Sequence, residues 1–175
     1  DNVDAAYRLT MHLLENGYRS IGAICGDMST TGRERYAGYE KALRTHGLIP
    51  NQEHVRYVLP KIETGYATTL KMLDTSPRLD ALLTTNSLLA AGALQAIREC
   101  GLIIPDDIAL VTFDETTWAA LVQPAITLID QPTYEIGRTA IELLLQRIVD
   151  PGRPTRQVML KGQLVVRGSS AARKQ

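Results

Sequence analysis

Apolar positions recur in a repeating order: a stretch at helical spacing, a glycine, then a short apolar run. Val3, Ala6, Tyr7, Thr10, Leu13 and Leu14 lie at helical spacing behind Asn2, a good N-cap, and Gly17 ends that helix. Residues 21–25 form a short apolar run that predicts a buried strand, followed by a polar loop over 26–32. A second helix is predicted over about 33–45, with Tyr36, Tyr39 and Leu43 on one face and Gly47 as its stop. Residues 55–59 predict a strand. Residues 63–73 predict a helix with Tyr66, Leu70 and Leu73 inward, and 81–85 a strand. Residues 88–100 predict a helix with Ser87 as its cap and Gly101 as its stop. Pro105 opens a turn into 108–113, whose length and β-branched content suit a strand buried on both faces.

Three helices end alike, at Asn16-Gly17-Tyr18, His46-Gly47-Leu48 and Cys100-Gly101-Leu102. Glycine supplies the left-handed residue of a C-terminal cap, and the next apolar side chain folds back on the last turn. Helix, stop and strand then repeat. Parallel strands need such crossovers, so the expected fold is α/β, a doubly wound parallel sheet of about five strands with helices on both faces. The rhythm changes after Asp114. Residues 116–122 are short and partly apolar, and 126–130, between Pro124 and Pro132, predict a brief strand. Residues 134–149 predict a helix apolar on more than one side, which calls for neighbours on more than one side. A turn-rich loop at 150–154 precedes an alternating last strand over 158–166 and a polar, frayed tail over 169–175.

Composition narrows the class. The chain has 175 residues, 45% of them hydrophobic, enough for one domain with a real core. Its net formal charge of zero gives no electrostatic case for nucleic-acid binding by this chain itself. The only cysteines, Cys25 and Cys100, read as small core residues in a reducing compartment. No apolar run reaches membrane-spanning length, and no secretory leader pattern opens the chain. The opening Asp1-Asn2-Val3-Asp4 reads as a helix start where natural proteins seldom begin, so a piece of a longer protein is expected.

Catalytic signatures are absent from the sequence: no phosphate loop, no nucleophile elbow and no paired-histidine zinc motif. His12, His46 and His54 are far apart and read as surface or packing residues, and the two cysteines make no metal site. Neither a metal nor a cofactor is expected. One chemical group does stand out. Asp114 ends the strand 108–113, and ligands in open α/β sheets bind beyond the carboxyl ends of strands. Asp114 is therefore either a ligand contact or a cap for the next segment.

In order along the chain stand Asp1-Asn2 before an Ala-rich helix, His12-Leu13-Leu14, Gly17-Tyr18-Arg19 and Ile21. Gly26 is followed by Arg35-Tyr36-Ala37-Gly38-Tyr39 and Ala42-Leu43. Then come Asn86, Ala90, Gly92-Ala93-Leu94, Gly101-Leu102, Pro105-Asp106-Asp107-Ile108 and Phe113-Asp114. Pro124, Thr127, Gln131-Pro132, Gly137-Arg138 and Leu164-Val165-Val166-Arg167-Gly168-Ser169 complete the set. Taken together these resemble the effector-binding core of the LacI/GalR family of bacterial transcriptional regulators. The resemblance implies two similar α/β lobes with a sugar, sugar phosphate or nucleoside effector between them, behind an N-terminal DNA-binding helix-turn-helix that this chain lacks. It implies a periplasmic-binding-protein-like C-terminal lobe at about 1–123 plus 155–170, and a remnant of the N-terminal lobe at about 125–153. It further implies a cytoplasmic homodimer that does not engage membranes.

The same resemblance assigns roles. Arg35 matches the family's effector arginine, and its guanidinium can fork two hydrogen bonds onto vicinal hydroxyls, a carboxylate or a phosphate; otherwise it is a solvated helix charge. Thr31 matches a small polar effector contact or is a helix cap. Asn86 and Gln131 match further contacts, an amide being able both to donate and to accept. Ser87 departs from the aspartate often found after that asparagine, which changes the local hydrogen bonding. Asp114 gains weight as a contact. Arg33 and Asp4 are either second contacts or plain surface. Trp118 can stack on a sugar ring, but the family pattern puts it with Ala91, Gln95 and Val122 at a dimer interface. A periplasmic-type sugar-binding protein is the alternative, and the Arg35 segment favours the regulator. An enzyme on a flavodoxin-like sheet lacks any reactive constellation, and function must come from residues rather than fold.

Overall fold

The computed structural model describes residues 1–27, 29–74 and 78–172. Six strands form one sheet in the order β2-β1-β3-β4-β5-β6. They are β1 (Ile21–Gly26), β2 (Val55–Val58), β3 (Ala81–Thr84), β4 (Ala109–Phe113), β5 (Thr127–Asp130) and β6 (Gln163–Val165). The first five pair in parallel, and β6 runs antiparallel on β5. The helices are α1 (Asn2–Glu15), α2 (Thr30–Thr45), α3 (Ile62–Leu73), α4 (Ser87–Glu99), α5 (Thr117–Leu121) and α6 (Thr133–Val149).

Strand alternation sorts the core into two layers. Ala23, Cys25, Ala81, Leu83, Ala109, Val111, Phe113 and Ile129 join α1 and α2 on one face. Ile24, Leu82, Leu110 and Leu128 point to the other, against Met72 of α3 and Leu89, Ala93 and Ile97 of α4. Gly17, Gly47 and Gly101 all have positive φ, which is the left-handed stop that each helix end requires.

Several local expectations are corrected. The parallel part of the sheet has the five strands expected, and part of the last segment adds a sixth, antiparallel to β5. That segment pairs only over Gln163–Val165, not over 158–166, since β5 offers four residues. Asp1 rather than Asn2 caps α1, accepting from the Asp4 amide. Ser29 caps α2 through the Gly32 amide, so that helix starts at Thr30, three residues before Arg33. Asn86, not Ser87, caps α4. The buried residues of α3 are Gly65, Thr69 and Met72, one step before Tyr66, Leu70 and Leu73. Cys100 is exposed, whereas Cys25 is in the core, where burial pushes its thiol up to about 12. Thr127–Asp130 belongs to the sheet, paired in parallel with β4. The helix α6 that follows has no buried residue, and Ile141, Leu144, Leu145 and Ile148 are exposed.

The chain's end is held rather than frayed as far as Ala171; residues 173–175 lie outside the described part. Ser169 and Ser170 are fully buried. Ser169 Oγ donates to Leu110 O at 2.6 Å and accepts from Thr127 N at 2.8 Å. His12 Nε2 sits 2.8 Å from Ser170 Oγ, and Tyr18 Oη donates to Ala171 O. Burial pushes the His12 imidazole below its ordinary 6.5, against the charge of Glu15 and the Ser170 contact. The folded state therefore binds fewer protons than the unfolded chain once pH falls below 6.5. This contribution to stability is fully present above 6.5 and is lost as pH drops towards the lower folded value. Urea unfolding across that range should show a steeper acid loss for wild type than for His12→Gln. Equal slopes in the two proteins would rule the histidine out.

Candidate functional site

The sheet order 2-1-3-4-5 has its switch point between β1 and β3, where neighbouring crossovers diverge and leave a crevice at the strand carboxyl ends. A cavity of about 490 Å³ occupies that edge, a size suited to a small molecule. Thr31, Arg35, Asn86, Asp114 and Gln131 all line it, although they come from four separate stretches of sequence. Gly26 and Ser29 also line it. Asp4 and Arg33 do not: Asp4 pairs with Arg8 at 2.9 Å one turn along α1, and Arg33 is exposed on α2.

Arg35 is the best-anchored of these side chains, with only 4% of its surface exposed. Nη1 donates to Thr85 O at 2.5 Å and Nε to Asn2 Oδ1 at 3.0 Å. The guanidinium lies over the Phe113 ring at 3.9 Å. Burial pushes its pKa below the ordinary arginine value, while the negative charges of Asp114 and Glu34 oppose that shift. Asp114 follows β4 with φ of +74°, a conformation that aspartate tolerates better than most residues. Its Oδ1 accepts from Gln131 Nε2. Asn86 has a double role. Its Oδ1 accepts from the Leu89 amide at 3.0 Å as the α4 cap, and the residue also lines the cavity. Thr31 is exposed at the rim.

Sequence reading missed three contributors. Asn2 was legible only as a cap-type residue, yet its side chain reaches Arg35 across 33 positions. Ser29 combines the α2 cap with the cavity wall. Thr85 offers its carbonyl to Arg35 and its Oγ1 to the Gly26 amide at 2.8 Å. A second cavity of about 510 Å³ adjoins the first and shares Asn2, Arg35 and Gln131 with it. Ile136, Val158 and Met159 give that cavity an apolar outer wall. Among the described residues no cluster of histidine, cysteine and carboxylate side chains could hold a metal ion.

On the opposite side of the sheet from α1 and α2, Arg98 of α4 donates to Gln123 O at 3.2 Å and brings α4 and the end of α5 together. Ala91, Trp118 and Val122 are half-buried there and Gln95 is exposed, with Leu88 and Leu121 exposed nearby. Trp118 packs against the core from one side and does not line the cavity.

Residues 10–170 match the family profile of the periplasmic binding protein-like domain. The chain belongs to that family. Within it, the similarity runs to LacI-type transcriptional regulators. The chain is 34% identical over 170 residues to the HTH-type transcriptional repressor PurR of Haemophilus influenzae, covering 95% of this chain and 51% of that protein. It is 32% identical over 170 residues to the HTH-type transcriptional regulator CelR of Thermobifida fusca, covering 97% of this chain and 50% of that protein. A solved structure of a CelR–cellobiose complex superposes with a TM-score of 0.92 at 32% identity, over 97% of this chain and 52% of that one. This periplasmic binding protein-like domain is thus of the LacI-family effector-binding type, and the relatives named above are transcriptional regulators. The chain spans about half the length of the curated relatives it matches. No helix among the described residues is long and apolar enough to cross a membrane.

Proposed function

We propose that this domain senses a small hydroxyl-bearing effector, a sugar, sugar phosphate or nucleoside, in the cavity at the strand ends. Its occupancy would control DNA binding by a helix-turn-helix outside this chain, in a cytoplasmic regulator without catalytic activity or a cofactor. The observation that carries the reading is the convergence of Arg35, Asn86, Asp114 and Gln131 on one cavity, presenting donors and acceptors to a ligand of many hydroxyls. The cellobiose named with the CelR relative fits that chemistry. Homodimerisation through Ala91, Gln95, Trp118 and Val122 is part of the same reading, as is a second lobe packed over α6. Burying a Leu or Ile side chain contributes roughly 1.5–3 kcal/mol, so the exposed row Ile141, Leu144, Leu145 and Ile148 calls for cover.

A thermal-shift screen of the full-length protein against neutral sugars, sugar phosphates and nucleosides tests the proposal. A ligand that binds the folded state raises the melting temperature by mass action. Asp114→Asn preserves a side chain suited to positive φ but removes the charge that accepts hydroxyl protons. It should weaken the hit by about tenfold, the worth of one hydrogen bond to a charged group. A panel with no hit, or an unchanged affinity in Asp114→Asn, would sink the assignment.

A further inference from the structure

Arginine pairs with a phosphate or carboxylate through two parallel bonds, using either its Nη1/Nη2 edge or its Nε/Nη2 edge. The Nε/Nη2 edge of Arg35 is half-occupied by the protein. Thr85 O takes Nη1 and Asn2 Oδ1 takes Nε. The Asn2 amide is held in that sense from its other end, where Nδ2 donates to Glu34 Oε2 at 2.8 Å. Nε only donates and the carboxylate only accepts, so flipping the amide would lose both bonds. Among the described residues nothing accepts from Nη2, and Thr85 O accounts for one of the two N–H groups on Nη1. Asp114 adds an acceptor-only carboxylate to the same cavity. Helix N-termini ordinarily attract anions, but α2 and α4 here already give an amide each to their own caps, Ser29 and Asn86.

We infer that Asn2 is a specificity-determining residue: by occupying the Nε edge of Arg35 it restricts the cavity to neutral, hydroxyl-bearing ligands and disfavours phosphates and carboxylates. A hydroxyl accepts from Nη2 and donates to Asp114, satisfying both with one or two groups. A phosphate loses the Nε/Nη2 fork of Arg35 and faces the Asp114 charge. This inference rests on the reading of the cavity as the effector site and narrows its three ligand classes.

The test is calorimetric titration of the full-length protein with two probes, inorganic phosphate and cellobiose. Asn2→Ala opens the Nε/Nη2 edge and should bind phosphate at least about tenfold more tightly than wild type, the worth of one further charge-assisted bond. The gain should vanish in the Asn2→Ala, Arg35→Met double variant. Asn2→Asp accepts from Nε again and adds a negative charge, and should return phosphate binding to the wild-type level or below. A merely structural role for Asn2 would weaken every ligand alike and create no affinity for phosphate. If Asn2→Ala binds phosphate no better than wild type, the inference is overturned. If the alanine variant does not fold, Asn2→Ser, too short to reach Nε, takes its place with the same two outcomes. Cellobiose failing to bind would count against it as a ligand, while the phosphate comparison would still decide the role of Asn2.

Discussion

Gly92→Ala should be the most disruptive methyl addition in this domain. A Cβ there would meet Ile62 O at 2.1 Å and Tyr66 N at 2.5 Å, distances that real Cβ atoms essentially never show below 3.0 Å. Both neighbours are backbone atoms of α3, so no side chain can rotate away. Gly65 faces the same seam, where its own Cβ would meet Leu89 O at 2.7 Å. The two glycines let α3 and α4 approach backbone to backbone over the sheet. Alanine is favoured over glycine inside a helix by about 1 kcal/mol. Overpacking opposes it by about 1–3 kcal/mol and more where the backbone must move. The clash wins, and the net loss should be about 2 kcal/mol or more. Urea unfolding should show a lower midpoint at unchanged slope. Gly137→Ala is the control, since its Cβ would meet nothing within 4 Å and only the helix preference remains. A wild-type midpoint for Gly92→Ala would mean that the helices separate without penalty.

The same seam shows why sequence reading placed the inward face of α3 one residue late. Periodicity assigns burial to large apolar side chains, here Tyr66, Leu70 and Leu73. Where two helices nearly touch, small residues take the contact, and Gly65 and Thr69 are the buried ones. The parallel strands were legible for the opposite reason. β1, β3, β4 and β5 are buried along nearly their whole length, so their apolar runs are continuous, and the helices before β1, β2 and β4 end on a positive-φ glycine. Caps were misplaced by one residue at α1 and α4 because Asp1 and Asn2, or Asn86 and Ser87, are equally good capping types. Residues at strand ends could be picked from the sequence. The hydrogen bond from Arg35 to Asn2 could not, because neither position carries a local pattern that announces the other.

Arg35→Met should separate stability from ligand recognition. Burial disfavours the guanidinium charge, and only Asp114 and Glu34 offset that effect electrostatically. Methionine fills a similar elongated space against Phe113 and carries no charge to desolvate. Its losses are the bonds from Nη1 to Thr85 O and from Nε to Asn2 Oδ1, and these acceptors sit beside a cavity open to water. Replacing a buried charge by an apolar side chain of similar volume is often neutral for stability. The unfolding midpoint should therefore stay near wild type. Ligand binding should not. The variant removes the charged donor from the cavity, a loss of about 1.5–3 kcal/mol, or roughly ten- to a hundredfold in affinity. Arg35→Lys should be nearly as impaired, because a single ammonium cannot hold both Thr85 O and Asn2 while also reaching a ligand. Unfolding curves and titrations on the same samples provide the comparison. Wild-type affinity in a folded Arg35→Met protein would remove the arginine from the site.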